Sequence, residues 1–254
     1  MKWVIDNRHK ISVVVFVGML LAIISVILAM SAAWGSRFNW WQFGMGFAML
    51  KWGVYIGIAA ALLSLLGLFA GGLGGGYRML LKSVTGLGIS LPVIIIPILW
   101  LNTAKSVPPI HDISTDLEHP PLFEAIVQLR ANAPNSLEYG GESVANQQRE
   151  AYPYIQPVLT NTPPEEVFKI ALQTVRELGW DIVAQDPQRG RIEAVDTTFW
   201  FGFKDDVVIR IAARDGDSGS QVDIRSVSRV GRSDVGTNAK RIREFIQSLQ
   251  KYIQ

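Results

Sequence analysis

The sequence predicts an α+β protein: three transmembrane helices, then a two-layer soluble domain built from a helix, a four-stranded antiparallel meander and a second helix. Three observations predict it. The first hundred residues carry long apolar runs with few charges, apolar residues alternate with polar ones between about 180 and 229, and an amphipathic stretch flanks that alternation on each side. The expected boundaries are a membrane anchor over 1–104, an extended strap or linker over 105–157, and the soluble domain over 158–254.

The first expected span, 11–33, contains no charged residue, and about 20 apolar residues suffice to cross the hydrocarbon of a bilayer. A cleaved signal peptide is the competing reading of the basic N-terminus, but its apolar region is shorter and further spans do not usually follow it. The second span runs over about 45–70, with Lys51 near one end where its head can reach the interface. The third runs over about 84–101 and contains Pro92 and Pro97, which predict a kinked helix. Trp3, Trp34, Trp40, Trp41, Trp52 and Trp100 fall at or just beyond the span ends, where indole rings prefer to lie.

Gly53, Gly57, Ala60, Ala61, Ser64, Gly67 and Gly71 share one face of the second span. Packing inside a three-helix bundle is the expected use of that face; a homodimer seam through Gly53, Gly57, Ala61 and Ser64 is the alternative. The run 71–76 (GGLGGG) lacks the preceding strand and the GK[ST] ending of a phosphate-binding loop and reads as a turn. No span interior carries Asp, Glu, His or Arg, which argues against an ion or proton path.

Charge divides the chain. Seven bases against one acid before Ala104 make that part +6, and 17 bases against 21 acids make the rest −4. With the N-terminus in the cytoplasm, Lys2, Arg8, Lys10, Arg78 and Lys82 lie inside and Arg37, Lys51 and Lys105 outside. That excess predicts a bacterial inner-membrane protein with its C-terminal domain outside the cytoplasm, in the periplasm or cell envelope. A mildly acidic soluble part argues against nucleic acid as a partner. The absence of cysteine excludes thiol nucleophiles and Cys-ligated metals.

The strap holds one short helical stretch, about 122–131, and a loose group of His111, Asp112, Asp116 and His119. Their spacing matches no metal motif, and they are read as polar groups tying the strap to the domain. No cofactor is expected. In the domain, Thr162-Pro163-Pro164-Glu165 predicts an N-cap at Thr162 with Pro163 in the first turn and Glu165 closing a capping box. Val167, Ile170, Ala171, Thr174, Val175 and Leu178 form the stripe that follows, and Gly179 is placed for a left-handed C-cap with Trp180 folding back. Expected strands cover 180–185, 191–203, 206–213 and 220–229, with a turn at 186–190. A type II′ turn at Gly216-Asp217 sets a register in which Ile211 faces Val222 and Ile209 faces Ile224, while Arg210 faces Asp223 on the opposite side. Ile242, Phe245, Ile246 and Leu249 make the apolar face of the last helix, capped near Thr237 or Asn238.

The string 216–220 (GDSGS) looks like the nucleophile loop of a trypsin-type protease, but no His follows His119 to act as general base, so it reads as a turn. The strongest polar constellation is Asp205, Asp206, Arg210, Arg225, Arg229, Arg232, Asp234, Asn238 and Arg241, with Lys204 and Asp223 beside it. Clustered Arg near a helix start suits an anion, and paired carboxylates suit acid–base work. A cross-strand ion-pair ladder, with Asp234 and Asn238 as caps, uses the same residues structurally.

The strings PPIHDISTD (108–116), AYPYIQP (151–157), FWFGFKDDVVIRI (199–211) and DIRSVSRVGRSDVGTNAKRI (223–242) resemble the uncharacterised family called domain of unknown function 1499, over about the last 145 residues. The resemblance implies a membrane-attached or exported soluble domain and supplies no catalytic residues. The expected function is therefore binding of a partner protein or an anionic ligand at the membrane surface, with acidic lipid headgroups suited to the basic run 225–243. The alternative is a membrane-anchored enzyme, such as a hydrolase using Asp205 or Asp206 with Arg229 and Arg232.

Overall fold

The structure, a computed structural model, describes residues 2–214 and 218–253. The chain forms two compact units: Met1–Asn102 with Trp200–Gly202, and Thr103–Phe199 with Phe203–Gln254.

In the first unit a short helix α1 (Lys2–Asp6) leads into α2 (Arg8–Arg37), α3 (Phe43–Ala70) and α4 (Tyr77–Ser106). Each of these three is long and apolar enough to cross a membrane, with α2 and α4 at 30 residues each. At about 1.5 Å per residue such a helix exceeds the roughly 30 Å of bilayer hydrocarbon. The outward residues are apolar as well, among them Phe16, Leu20, Ile27, Leu66, Ile95 and Leu99. A helix apolar all round has no aqueous face to offer, which is the pattern of a bilayer helix. The small residues of α3 face inward: a Cβ on Gly53 would lie 3.2 Å from the Ser25 carbonyl of α2, and one on Gly67 would lie 2.2 Å from Ser83 Oγ of α4. Gly71–Gly75 continues α3 as a wide π-type turn before Gly74 and Gly76, both at positive φ, reverse the chain. α4 remains helical through Pro92 and Pro97.

The second unit is an α+β domain around one antiparallel sheet. The strands are β1 (Asp112–Ser114), β2 (Val158–Thr160), β3 (Asp181–Asp186), β4 (Arg191–Thr197), β5 (Lys204–Ala213) and β6 (Ser220–Ser228). The order is β1-β6-β5-β4-β3, and β2 also pairs with β6. The expected meander is therefore present, and two short strands are added at its β6 edge, β1 from the strap and β2 from the first residues of the expected domain. The strap also forms α5 (Ile126–Leu129) and α6 (Gly141–Ala151), the latter not foreseen. The register of β5 on β6 is as expected, with Ile211 opposite Val222, Ile209 opposite Ile224 and Arg210 opposite Asp223. The turn expected at Gly216-Asp217 lies outside the described residues, as does part of the GDSGS string.

Two boundaries differ from expectation for identifiable reasons. β4 stops at Thr197, because the Thr198 amide donates to the Phe203 carbonyl and the Phe203 amide to Thr198 Oγ1, closing 198–203 into a loop with Gly202 at φ +68°. The helix α7 (Pro164–Glu177) has Pro163, not Thr162, at its N-cap, with no side-chain cap; the Thr162 hydroxyl instead meets Thr160 Oγ1. At its far end Gly179, at φ +74°, donates to the Arg176 carbonyl and Trp180 to that of Val175. That is a Schellman closure, and it turns Trp180 onto Phe245 at 5.9 Å.

Both faces of the sheet are covered. On one, Ile192, Val207, Ile209, Ile211, Val222 and Ile224 pack against α7 and against α8 (Thr237–Leu249), which contributes Ile242, Phe245 and Leu249. On the other, Val195, Val208 and Val227 meet Phe123 and Ile126 of the strap. The strap is thus a packed layer of the domain rather than an extended connector.

Candidate functional site

Strand alternation decides where each polar residue points. Asp205 and Asp206 are neighbours in sequence, so their side chains leave the sheet on opposite faces. They are not a carboxylate pair, and the expected cluster divides into separate groups.

On the helix face Asp205 joins Arg241 at 2.6 Å, and Arg241 also holds Asp196 at 2.7 Å. Asn238 accepts from Ser226 Oγ and Arg241 and donates to the His111 carbonyl and Ser228 Oγ. Burial opposes the Arg241 charge, but Asp205 and Asp196 outweigh it and hold its pKa above the ordinary value. Asp234 lies at the start of α8 and takes the amides of Gly236 and Asn238 on its two oxygens. The cap is this carboxylate, not Thr237 or Asn238. Burial pushes the Asp234 pKa up despite those two amides.

On the strap face, Arg225 is 1% exposed and donates bidentately to Asp112 at 2.9 and 2.7 Å. The carbonyls of Pro121 and Leu137 take two more of its donors, and the ring centroids of Phe123 and Tyr139 lie 5.5 Å from the guanidinium carbon. Asp206, fully buried, takes Arg130 at 2.8 Å and Arg229 at 2.7 Å. Two guanidiniums on one carboxylate leave a positive excess: burial, and then the Arg229 charge, lower the Arg130 pKa against the pull of Asp206. Arg210 bridges Asp223 and Asp116, at 2.8 and 2.7 Å. Glu193, also buried, accepts the amides of Glu124, Ala125 and Ile126 and so caps α5.

The weak metal candidates are drawn into these pairs. Asp112 serves Arg225, Asp116 serves Arg210 and the amides of Glu118 and His119, and His111 Nδ1 lies 3.3 Å from the Arg232 carbonyl. Among the described residues no three His, Asp or Glu side chains converge as a metal set. Sequence reasoning missed Arg130, Glu193 and Arg210's second partner Asp116. The available signal was the alternation itself, which places Asp206, Val208 and Arg210 on the face away from Ile209.

Of the nine residues of the predicted constellation, only Arg232 is exposed. It belongs to the loop 229–236, whose backbone is unusual: Gly231, Val235 and Gly236 all have positive φ, at +100°, +55° and +78°. A β-branched residue such as Val235 rarely adopts that region, at a cost of order 1–3 kcal/mol. The loop is pinned from several sides. Asn135 Nδ2 donates to the carbonyls of Ser228 and Gly231, the Asn135 amide to that of Arg229, the Asp234 amide to that of Ile110, and the Val235 amide to Ser233 Oγ. Lys204, also exposed, accepts at its carbonyl from the Arg229 amide.

These features define a class: an α+β domain joined to a bundle of three membrane-length helices, with its buried charges matched internally and a rigid basic loop at its surface. The sequence model of the family described as "Protein of unknown function (DUF1499)" matches residues 112–249, and the chain belongs to that family. No curated protein matches it. The matched region begins at β1, so the strap is part of the family's domain.

Proposed function

We propose that the protein is a membrane-anchored binding protein rather than an enzyme, and that loop 229–236 captures an anionic group on a ligand or partner at the membrane surface. The observation that supports this reading is the loop: strained at Val235, held by strap and sheet, and presenting an exposed Arg232 three residues after Arg229. Strain retained by surrounding bonds is a pre-organisation device, since a loop already ordered loses less entropy on binding. Guanidinium groups favour carboxylate and phosphate through paired hydrogen bonds. Asp205 and Asp206 offer no comparable support for hydrolysis, being buried on opposite faces and each engaged by guanidinium.

The positive residues flanking the spans favour a loop outside the cytoplasm, where envelope components would be its partners. Fusion of alkaline phosphatase or a fluorescent protein after Gln254 tests that placement: an active phosphatase and a dark fluorophore are expected. For the loop, the full chain in detergent is titrated with inorganic phosphate and with an acidic peptide. Arg232→Ala is expected to weaken binding about tenfold, which is about 1.4 kcal/mol, without changing thermal stability. Equal affinity in the folded variant would remove the proposal. Arg229→Ala is the wrong probe, because it strips a partner from buried Asp206.

A further inference from the structure

The two sides of α4 differ. On one, a Cβ at Gly86 would lie 2.3 Å from Ser64 Oγ, so α4 closes tightly on α3. On the other, a Cβ at Gly88 would meet nothing within 4 Å. Gly88 opens onto a groove of about 540 Å³ whose walls include Ile23, Ile27 and Met30 of α2 and Ile96 and Trp100 of α4. That volume falls inside the roughly 300–1,000 Å³ range of ligand sites. No charged side chain lines it.

We infer that this groove seats one acyl chain of an anionic phospholipid. The wall chemistry disfavours a polar occupant, since most hydrogen-bonding groups entering it would go unpaired. Lipid tails are what surrounds a bilayer helix at that depth, and an acyl chain makes dispersion contacts along an apolar wall. The headgroup preference comes from the groove's end: Lys51 follows the wall residue Leu50, and the indole of Trp100 lies in the wall. The Lys51 ammonium lies 5.8 Å from the Tyr55 ring centroid, and an ammonium with aromatic rings near a span end matches the interfacial level, where the lipid phosphate sits. Small residues build the hollow, with Ala29 and Ala33 of α2 opposite Gly88 of α4.

Gly88→Leu fills the groove without a backbone clash and raises helix propensity, so it is expected to fold. Gly44→Leu, at the start of α3 and also with nothing within 4 Å of its Cβ, is the control. The full chain, purified from membranes and exchanged into micelles containing phosphatidylglycerol, is weighed intact with its lipids. Wild type and Gly44→Leu are expected to retain one phosphatidylglycerol, and Gly88→Leu to lose at least four-fifths of it. Equal retention in all three, or equal loss in both variants, overturns the assignment. Should Gly88→Leu fail to fold, a photoreactive phosphatidylglycerol on wild type decides: adducts concentrated on 23–30 and 88–100 support the site, and adducts spread evenly over the three helices refute it. The inference rests on the bundle lying in a bilayer. Release of the chain by an alkaline carbonate wash would overturn that premise separately.

Discussion

The two faces of the sheet are built on opposite principles. The face under α7 and α8 is an apolar core with one buried ionic group, Asp205–Arg241–Asp196, at its end. The face under the strap interleaves a small apolar cluster with ionic groups centred on Asp112, Asp206, Asp223 and Glu193. Helices cover a sheet by shape and area, for which many side chains serve. A segment with little regular structure cannot bury a broad apolar stripe, and here it is fastened at points, by carboxylates and carbonyls set opposite fixed guanidiniums. The first kind of cover tolerates exchange among apolar residues; the second requires partners in pairs.

The largest expected effects test that contrast directly. Phe245→Ala on the helix face removes a fully buried ring and is expected to cost about 3–5 kcal/mol. Arg225→Met on the strap face leaves Asp112 buried and unpaired, at a similar cost of about 3–5 kcal/mol. The two should part company on repair. Arg225→Met with Asp112→Leu removes both charges and is expected to recover most of the loss, because an ion pair replaced whole by apolar groups is often neutral. Denaturant unfolding of the full chain in detergent, followed by hydrogen exchange of the sheet amides, measures all three. A double variant no more stable than Arg225→Met would show that the strap is held by shape after all.

The same contrast explains what was legible in the sequence. The helix face was readable because both partners are periodic: Ile209, Ile211, Val222 and Ile224 at spacing two, and Val167, Ala171, Thr174 and Val175, or Ile242, Phe245 and Leu249, at helical spacing. The positions of α7, α8 and the β5–β6 register followed from those patterns. The strap face was not readable, because Asp112, Arg130 and Asn135 lie in a segment without period, and their partners Arg225, Asp206 and Gly231 are 113, 76 and 96 residues away. Residue type flagged the Arg and Asp of β5 and β6, but one-dimensional proximity joined Asp205 to Asp206, which the pleat separates. The loop 229–236 announced itself only through Gly231 and Gly236; nothing in the sequence shows that Val235 shares their backbone region.

A smaller effect is expected where the apolar face meets its one polar cap. Asp234→Ala leaves the amides of Gly236 and Asn238 without their acceptor and is expected to cost about 1 kcal/mol, the usual worth of a cap. Asp234→Asn keeps an amide acceptor without the charge that burial disfavours, and is expected to lose less. A loss from Asn as large as from Ala, in thermal unfolding of the full chain, would mean that the charge rather than the hydrogen bond holds the start of α8.

The smallest effect separates the two faces by pH. At Asp116 of the strap, burial works to raise the pKa, but the His119 amide, the Arg210 guanidinium and the Glu118 amide together hold it below the ordinary value of 3.8. The folded state therefore binds that proton more weakly than the unfolded chain. The stabilisation is present in full above about 3.8 and is lost as pH falls through the depressed folded value. Asp234 has the opposite sign: burial raises its pKa above 3.8, so its contribution is present below that value and is lost as pH rises through the raised folded value. Acidification should accordingly loosen the strap before it disturbs α8. Hydrogen exchange of the full chain below pH 4 reads the order, with amides of β1 and 116–119 expected to lose protection ahead of those of α8. Asp116→Asn should remove most of the acid dependence at the strap and leave that at α8 unchanged; simultaneous loss in both regions would mean that the two covers unfold as one.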